Sequence, residues 1–203
     1  MTETLRQMPR SVKGREIVPF RGVGIKNPSG CHAAPKIRSC SEFPGDGNKL
    51  TGSLKAALMN AGLRDGMVVS THHHLRNGDE VALALFFAAN ELGIRDLVWF
   101  PSASFPCHEP LIDLLETGVI HHIEGSLNGG LGRYVSQGKM RGSAVLRSHG
   151  GRYRAIQDGD VHVDISVIAA PTADHFGNAT GAIGPSACGS LGFAMADAQY
   201  ADH

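Results

Sequence analysis

The stretch SHGGRYRAIQDGDVHVDISVI, Ser148 to Ile168, decides how this chain folds. Its second half, Val161–Ala169 (VHVDISVIA), is rich in β-branched residues and reads as the best strand in the chain. Its first half reads as a glycine turn at Gly150-Gly151 leading into a helical turn over Gly151–Gln157. A loop–helix–strand unit of this kind belongs to an α/β fold with parallel strands.

The same alternation runs upstream. Leu50, Leu54, Ala57, Leu58 and Ala61 keep helical spacing, and Gly62 is placed to end that helix. Met67–Thr71 (MVVST) reads as a strand. Asp79 reads as the N-cap of a helix that is apolar nearly all round through Leu92 and closes at Gly93. Leu97–Phe100 (LVWF) is a strand ended by Pro101. A helix over His108–Thr117 follows, then the strand Val119–Ile123 (VIHHI). A glycine loop, Gly125–Gly132, precedes a short helix around Arg133–Gln137, and Ser143–Leu146 is a brief strand. After the long 170–189 loop, Ser190–Ala201 reads as a helix. The expected architecture is an open, mostly parallel sheet flanked by helices, over residues 48–203, behind an extended leading segment, 1–47. Within that segment Glu16–Phe20 (EIVPF) has the character of a short strand.

Ligands of such sheets bind outside the carboxyl ends of the strands. The loops His72–Arg76, Ser102–Ser104, Gly125–Gly132 and Pro171–Gly184 all fall there, which places a site along that edge. In THHHLRNGD, Thr71 to Asp79, neighbouring side chains of an extended segment alternate, so at most His72 and His74 share a ligand. No third metal ligand stands nearby, and the expectation is no metal but hydrogen-bond donors toward an anion, with Arg76 adding charge. Ser148, His149, Gly150, Gly151 and Arg152 suit an anion-binding loop at a helix start; an ordinary glycine turn is the alternative. Asp174, His175 and Asn178 suit an acid–base pair or a polar lining, though turn chemistry explains much of that cluster. Cys107 and Cys188 are expected to be buried.

Composition narrows the class. Lys+Arg and Asp+Glu both total 19, so no global field draws nucleic acid or an anionic membrane. The 26 glycines are not periodic, which excludes repeat and collagen-like readings. The 4 cysteines contain no CxxC pair. The start, MTETLRQMPR, has no apolar signal region, and no run reaches the ~18 apolar residues of a spanning helix. A cytoplasmic protein with reduced thiols is the reading. Neither a dinucleotide nor a P-loop fingerprint occurs, and no catalytic triad is apparent.

The run from Arg147 to His203, RSHGGRYRAIQDGDVHVDISVIAAPTADHFGNATGAIGPSACGSLGFAMADAQYADH, resembles the alpha subunit of bacterial citrate lyase, its citrate CoA-transferase component. THHHLRNGD, FPSAS (Phe100–Ser104), IEGSLNGGLG (Ile123–Gly132) and the LKAAL helix resemble the same family. The resemblance implies a CoA-transferase domain on a sheet shared with sugar-phosphate isomerases. It implies exchange of acetyl for citryl on the thioester of an acyl-carrier (gamma) subunit, through an anhydride and without a covalent glutamyl enzyme. A beta subunit then cleaves the citryl thioester. No tightly bound cofactor is implied; the CoA-like prosthetic arm comes with the carrier. Substrate- and carrier-binding residues would come from His72, His74, Arg76, Ser102, Ser148, His149, Gly150, Gly151, Arg152, Asn178 and Gly181, with citrate and acetate as small ligands and an oligomeric complex as the setting. Family chains are longer and contain a second similar domain. This chain would then be the first part, and a non-catalytic half-domain that binds the carrier arm or partner subunits is the alternative. A sugar-phosphate isomerase-like enzyme is a further one.

Overall fold

The computed structural model describes residues 11–12, 15–16, 49–75 and 77–203. Its two compact units are Met1–Cys31 and His32–His203. In the first, β1 (Ser11–Val12) pairs antiparallel with β2 (Arg15–Glu16). The expected boundary at residues 47–48, most of Glu16–Phe20, and Arg76 lie outside the described residues.

In the second unit, five strands form one parallel sheet in the order β6-β5-β4-β3-β7. They are β3 (Val68–His72), β4 (Leu97–Pro101), β5 (Ile120–Gly125), β6 (Ala144–Leu146) and β7 (Ile165–Ile168). The open parallel α/β sheet read from the sequence is what the chain forms. Both faces are covered, as a parallel sheet requires. Trp99 points to one face, packing edge-on against Phe86 at 5.6 Å, while its neighbour Phe100 points to the other with Ile156, Val163 and Ala196.

The first face is covered by α1 (Leu54–Asn60), α2 (Val81–Glu91), α3 (Ile112–Glu116) and α4 (Gly129–Ser136). The second carries α5 (His149–Gln157) and α6 (Ala194–Tyr200). From β3 the chain steps outward through β4 and β5 to β6, then returns across the sheet to lay β7 beside β3. With right-handed crossovers, that reversal moves the helices to the opposite face. Connections leave β3 and β7 in opposite directions, which opens a crevice above their carboxyl ends.

Several elements differ from the sequence reading, each for a local reason. α1 starts only after Ser53, whose hydroxyl accepts the Ala56 N–H, so Leu50 lies ahead of the helix. Asp79 stands one residue before the N-cap Glu80 of α2. Its Oδ1 accepts the Val81 N–H at 3.0 Å and its Oδ2 the His74 N–H at 3.0 Å, so one carboxylate fixes both the helix start and the histidine loop. The single helix expected over His108–Thr117 is split by Pro110 into a 3-10 turn, Pro106–Leu111, and α3. α4 begins inside the expected glycine loop. Ser104 and Asn128 tie the two loops together, the Asn128 N–H donating to Ser104 Oγ at 2.8 Å, which sets the helix start at Gly129. The strand expected over Val161–Ala169 pairs only at Ile165–Ile168. The loop after it contains a small antiparallel pair, β8 (Thr172–Ala173) and β9 (Ala179–Thr180). Among the described residues, no helix is long and apolar enough to cross a membrane.

Candidate functional site

The crevice between β3 and β7 holds an inner cavity of about 220 Å³. Its wall begins at His72, the last residue of β3, and reaches Ala169, just past β7. His73, His74, Ser102 and His149 supply further polar lining, and the segment Ser190–Ala194 closes one side. A wider trough of about 900 Å³ shares His73, His74, His149 and Cys188 with the cavity and extends past Asn77, Ser126 and Asn128. Three of the four expected loops therefore meet at this edge. The fourth does not: residues 171–184 form the β8–β9 hairpin, and the lining comes from residues 186–194 instead.

Beneath the cavity lies a buried polar network from four separate elements. Asp197 of α6 is fully buried. Its Oδ1 accepts from the Ser70 hydroxyl and from Arg152 Nη2 at 2.8 Å. Its Oδ2 accepts from Arg152 Nη1 at 2.9 Å and meets His72 Nε2 at 2.7 Å. Arg152 Nη2 also reaches Ser70 Oγ at 2.6 Å and the Phe100 carbonyl at 3.1 Å, and the guanidinium lies 4.3 Å from the Phe100 ring centroid. Burial alone would push the Asp197 carboxyl up. Hydrogen bonds from Arg152 and His72, and the charge of Arg152, outweigh it and hold the group well below the usual carboxylate range.

This corrects the expectation for Arg152. Its side chain is only 3 % exposed and spends its charge on Asp197, so it braces the cavity floor and offers no guanidinium to an anion above it. Ser148 is likewise occupied: it is the N-cap of α5 and accepts the Gly151 N–H at 3.1 Å. Gly150 and Gly151 are in the first turn of that helix, not in a separate loop. His149 does face the cavity, its ring 4.8 Å from that of Phe193. Asn178 is not part of the lining. Its Nδ2 donates to Asp174 Oδ2 at 2.9 Å, and Asp174 Oδ1 accepts the N–H groups of Phe176 and Asn178. Turn chemistry accounts for that cluster, and the same bonds, led by the Asn178 amide, hold the Asp174 carboxyl below its usual range.

Gly181 acts from behind. Its carbonyl accepts the N–H groups of Cys188 and Gly189 at 2.9 and 3.0 Å, which anchors the lining segment. A Cβ at Gly181 would collide with the Gly189 carbonyl oxygen. Gly181→Ala is therefore expected to displace residues 188–194, lowering stability by about 1–3 kcal/mol and weakening any ligand held by that wall about tenfold. A thermal melt and a titration calorimetry series on the variant check both.

His74 stands over Asp79, Nδ1 to Oδ2 at 3.3 Å, with Ser186 Oγ at 3.4 Å from Nε2. His108 is buried under the same loop. It accepts the Phe105 N–H and donates to the Asp79 carbonyl, and burial pulls its imidazole toward the neutral form. Cys188 is exposed on the cleft, contrary to expectation, and Cys107 is half-buried; burial and the nearby Asp79 carboxylate push the Cys107 thiol up. Both are free thiols.

The cavity's open donors define its chemistry. Ser102 is 8 % exposed, lines the cavity, and its hydroxyl has no partner among the described residues. At the start of α5 the Gly151 N–H is capped by Ser148, while the N–H groups of His149, which lines the cavity, and Gly150 have no intrahelical acceptor and carry partial positive charge. Sequence reasoning missed Ser70 and Asp197. Asp197 carried one faint signal: a lone charge between the small residues of AMADA, in a helix too short to be stable unless docked.

A doubly covered parallel sheet with a polar crevice at its strand reversal defines an open α/β domain, the class in which ligands bind at that crevice. The citrate lyase alpha subunit family profile matches residues 47–203, and the chain belongs to that family. It is 37% identical to the citrate lyase alpha chain of Klebsiella pneumoniae over 203 residues, 99% of this chain and 38% of that one. The Haemophilus influenzae alpha chain is 39% identical over 171 residues, 84% of this chain and 34% of its own. A crystal structure of the citrate lyase alpha subunit from Streptococcus mutans, in complex with citrate, superposes with a TM-score of 0.78 at 40% identity, covering 84% of this chain and 33% of that one. The chain thus spans little more than a third of the length of these relatives.

Proposed function

We propose that the inner cavity binds citrate and that the chain supplies one wall of a citrate CoA-transferase site within citrate lyase. The observation that carries this reading is the donor set at the strand reversal: a buried Ser102 hydroxyl with no partner among the described residues, beside the first N–H groups of α5. Such a set suits carboxylates, and the Streptococcus relative was solved with citrate. The wider trough has the size to take the extended prosthetic arm of an acyl-carrier subunit.

In this reading a citrate carboxylate attacks the acetyl thioester carbonyl. The tetrahedral oxyanion is met by fixed N–H and O–H donors, and the carrier thiolate leaves as the mixed anhydride forms. The thiolate then attacks the citryl carbonyl of the anhydride and acetate departs. The nucleophiles are the citrate carboxylate and the carrier thiolate, so no general base is required. The beta and gamma subunits and a cytoplasmic setting belong to the same proposal.

The test is direct. Citrate is titrated calorimetrically into the chain, and acetate release is followed with acetylated carrier protein and citrate. Expected are citrate binding and acetate release, with Ser102→Ala weakening citrate about tenfold or more, as loss of a hydrogen bond to a charged group predicts. Retention of ribose phosphate with no binding of citrate would replace this reading with a sugar-phosphate one. Exposed Phe176, Ile183, Phe193 and Met195 favour a second arrangement, in which the chain binds the carrier arm but turns over only against further protein. Citrate binding without acetate release, restored by adding the remaining subunit sequence, is its signature.

A further inference from the structure

The network under the cavity does more than brace it. Asp197 accepts from Ser70, from both terminal nitrogens of Arg152, and from His72, which fills the acceptor sites of a carboxylate. An ionised carboxylate only accepts, so His72 Nε2 carries a proton. The other ring nitrogen, Nδ1, has no protein partner among the described residues, and the side chain lines the cavity. His72 is itself only 5 % exposed, so its ring is held in one orientation.

Asp197 grips the His72 ring at Nε2 alone. Here Arg152 lies against both carboxylate oxygens and already balances the Asp197 charge. The pair thus serves to hold the ring in one orientation through Nε2. The groups around the ring are of mixed character. His73 also lines the cavity, its Nδ1 donating to the Leu75 carbonyl at 2.7 Å; His74 leans on Asp79; Ser102 and His149 complete the polar wall.

We propose that Asp197, clamped by Arg152 and Ser70, is a positioning residue that locks His72 as the Nε2–H tautomer, so that Nδ1 meets the cavity as a hydrogen-bond acceptor specific for the hydroxyl group of a hydroxycarboxylate ligand. This deepens the citrate reading and rests on it. Ionised carboxylates only accept, so they cannot satisfy a bare imidazole nitrogen. At neutral pH citrate has a single donor, its hydroxyl. The carboxylates then fall to Ser102 and the start of α5, and the hydroxyl to His72. Sites built to bond a hydroxyl reject analogues that lack it, because the buried partner is left unpaired.

Two measurements test this on the full chain. Long-range proton–nitrogen NMR of the imidazoles, with the His72 signal assigned by its loss in His72→Gln, reads the tautomer directly. The Nε2–H form is expected both free and with citrate bound; an Nδ1–H or doubly protonated ring in the citrate complex overturns the proposal. Calorimetry then compares citrate with tricarballylate, the same acid without the hydroxyl. The native chain should prefer citrate by about tenfold to a hundredfold, the worth of one buried hydrogen bond. His72→Gln keeps an N–H for Asp197 but presents no acceptor at Nδ1, so it should fold and show near-equal affinity for the two acids. A His72→Gln protein that melts like the native chain yet keeps the preference overturns the hydroxyl assignment. Failure of the native chain to bind either acid refutes the citrate reading, and with it the hydroxyl assignment; the tautomer still decides whether Asp197 positions the ring.

Discussion

Replacing Asp197 by Ala is expected to destabilise the protein by about 3–5 kcal/mol, because it leaves the buried Arg152 guanidinium without a counter-charge. For a domain of this size that lowers the thermal midpoint on the order of 10 °C. The variant should also lose His72 orientation and with it citrate binding. A native-like melting curve for Asp197→Ala would show that the network contributes little. The same residue gives stability a pH dependence. The folded-state pKa of Asp197 is depressed, so its contribution is fully present above the ordinary carboxylate pKa of about 4 and is lost as pH falls through the lower folded value. Denaturant midpoints measured from pH 6 downward should fall less steeply with acid in Asp197→Asn than in the native chain, once both are scaled to their neutral-pH values.

Trp99→Ala is the second large effect, about 3–5 kcal/mol from loss of a fully buried ring and the cavity it leaves. Trp99 sits in the centre of the sheet. It packs edge-on against Phe86 and His108, and its indole N–H donates to Thr71 Oγ1 at 2.9 Å. Removing it leaves the Thr71 hydroxyl without its donor and loosens β4 against β3 just below the cleft. Equilibrium unfolding in urea, read by circular dichroism, measures the loss. Trp99→Phe should recover most of the packing but not the hydrogen bond to Thr71.

The alternation of short apolar strands with helices was legible because the central strands are buried on both faces and so read as continuous apolar runs, as in LVWF. The edge where the loops gather followed from that alternation. The order of the strands did not, since periodicity says which residues are buried but not which strand lies beside which. Placing β7 next to β3 is what brings His72 to Ala169 and creates the crevice. His72, His74 and Ser102 were chosen from loop position and His149 from its glycine turn, and all four line the cavity. Arg152 was chosen as an anion ligand because a guanidinium beside glycines looks like one. Its true partner lies 45 residues away in another helix, a separation that no local pattern reveals. Asn178 was drawn into the site by residue type, where the local Asx turn of Asp174 was its actual use.

The network's spread along the chain also orders how the domain is made. Ser70 and Asp197 are 127 residues apart, and His72 and Asp197 125 apart. During synthesis all five strands of the sheet and the first helical layer have been made before α6 exists. Until Asp197 emerges, Arg152 has no anion and cannot be drawn out of water without a large penalty. The layer that carries α5 therefore closes last, and the floor of the cleft is completed in the same event. The expected result is that chains truncated before Asp197 lack the cavity floor.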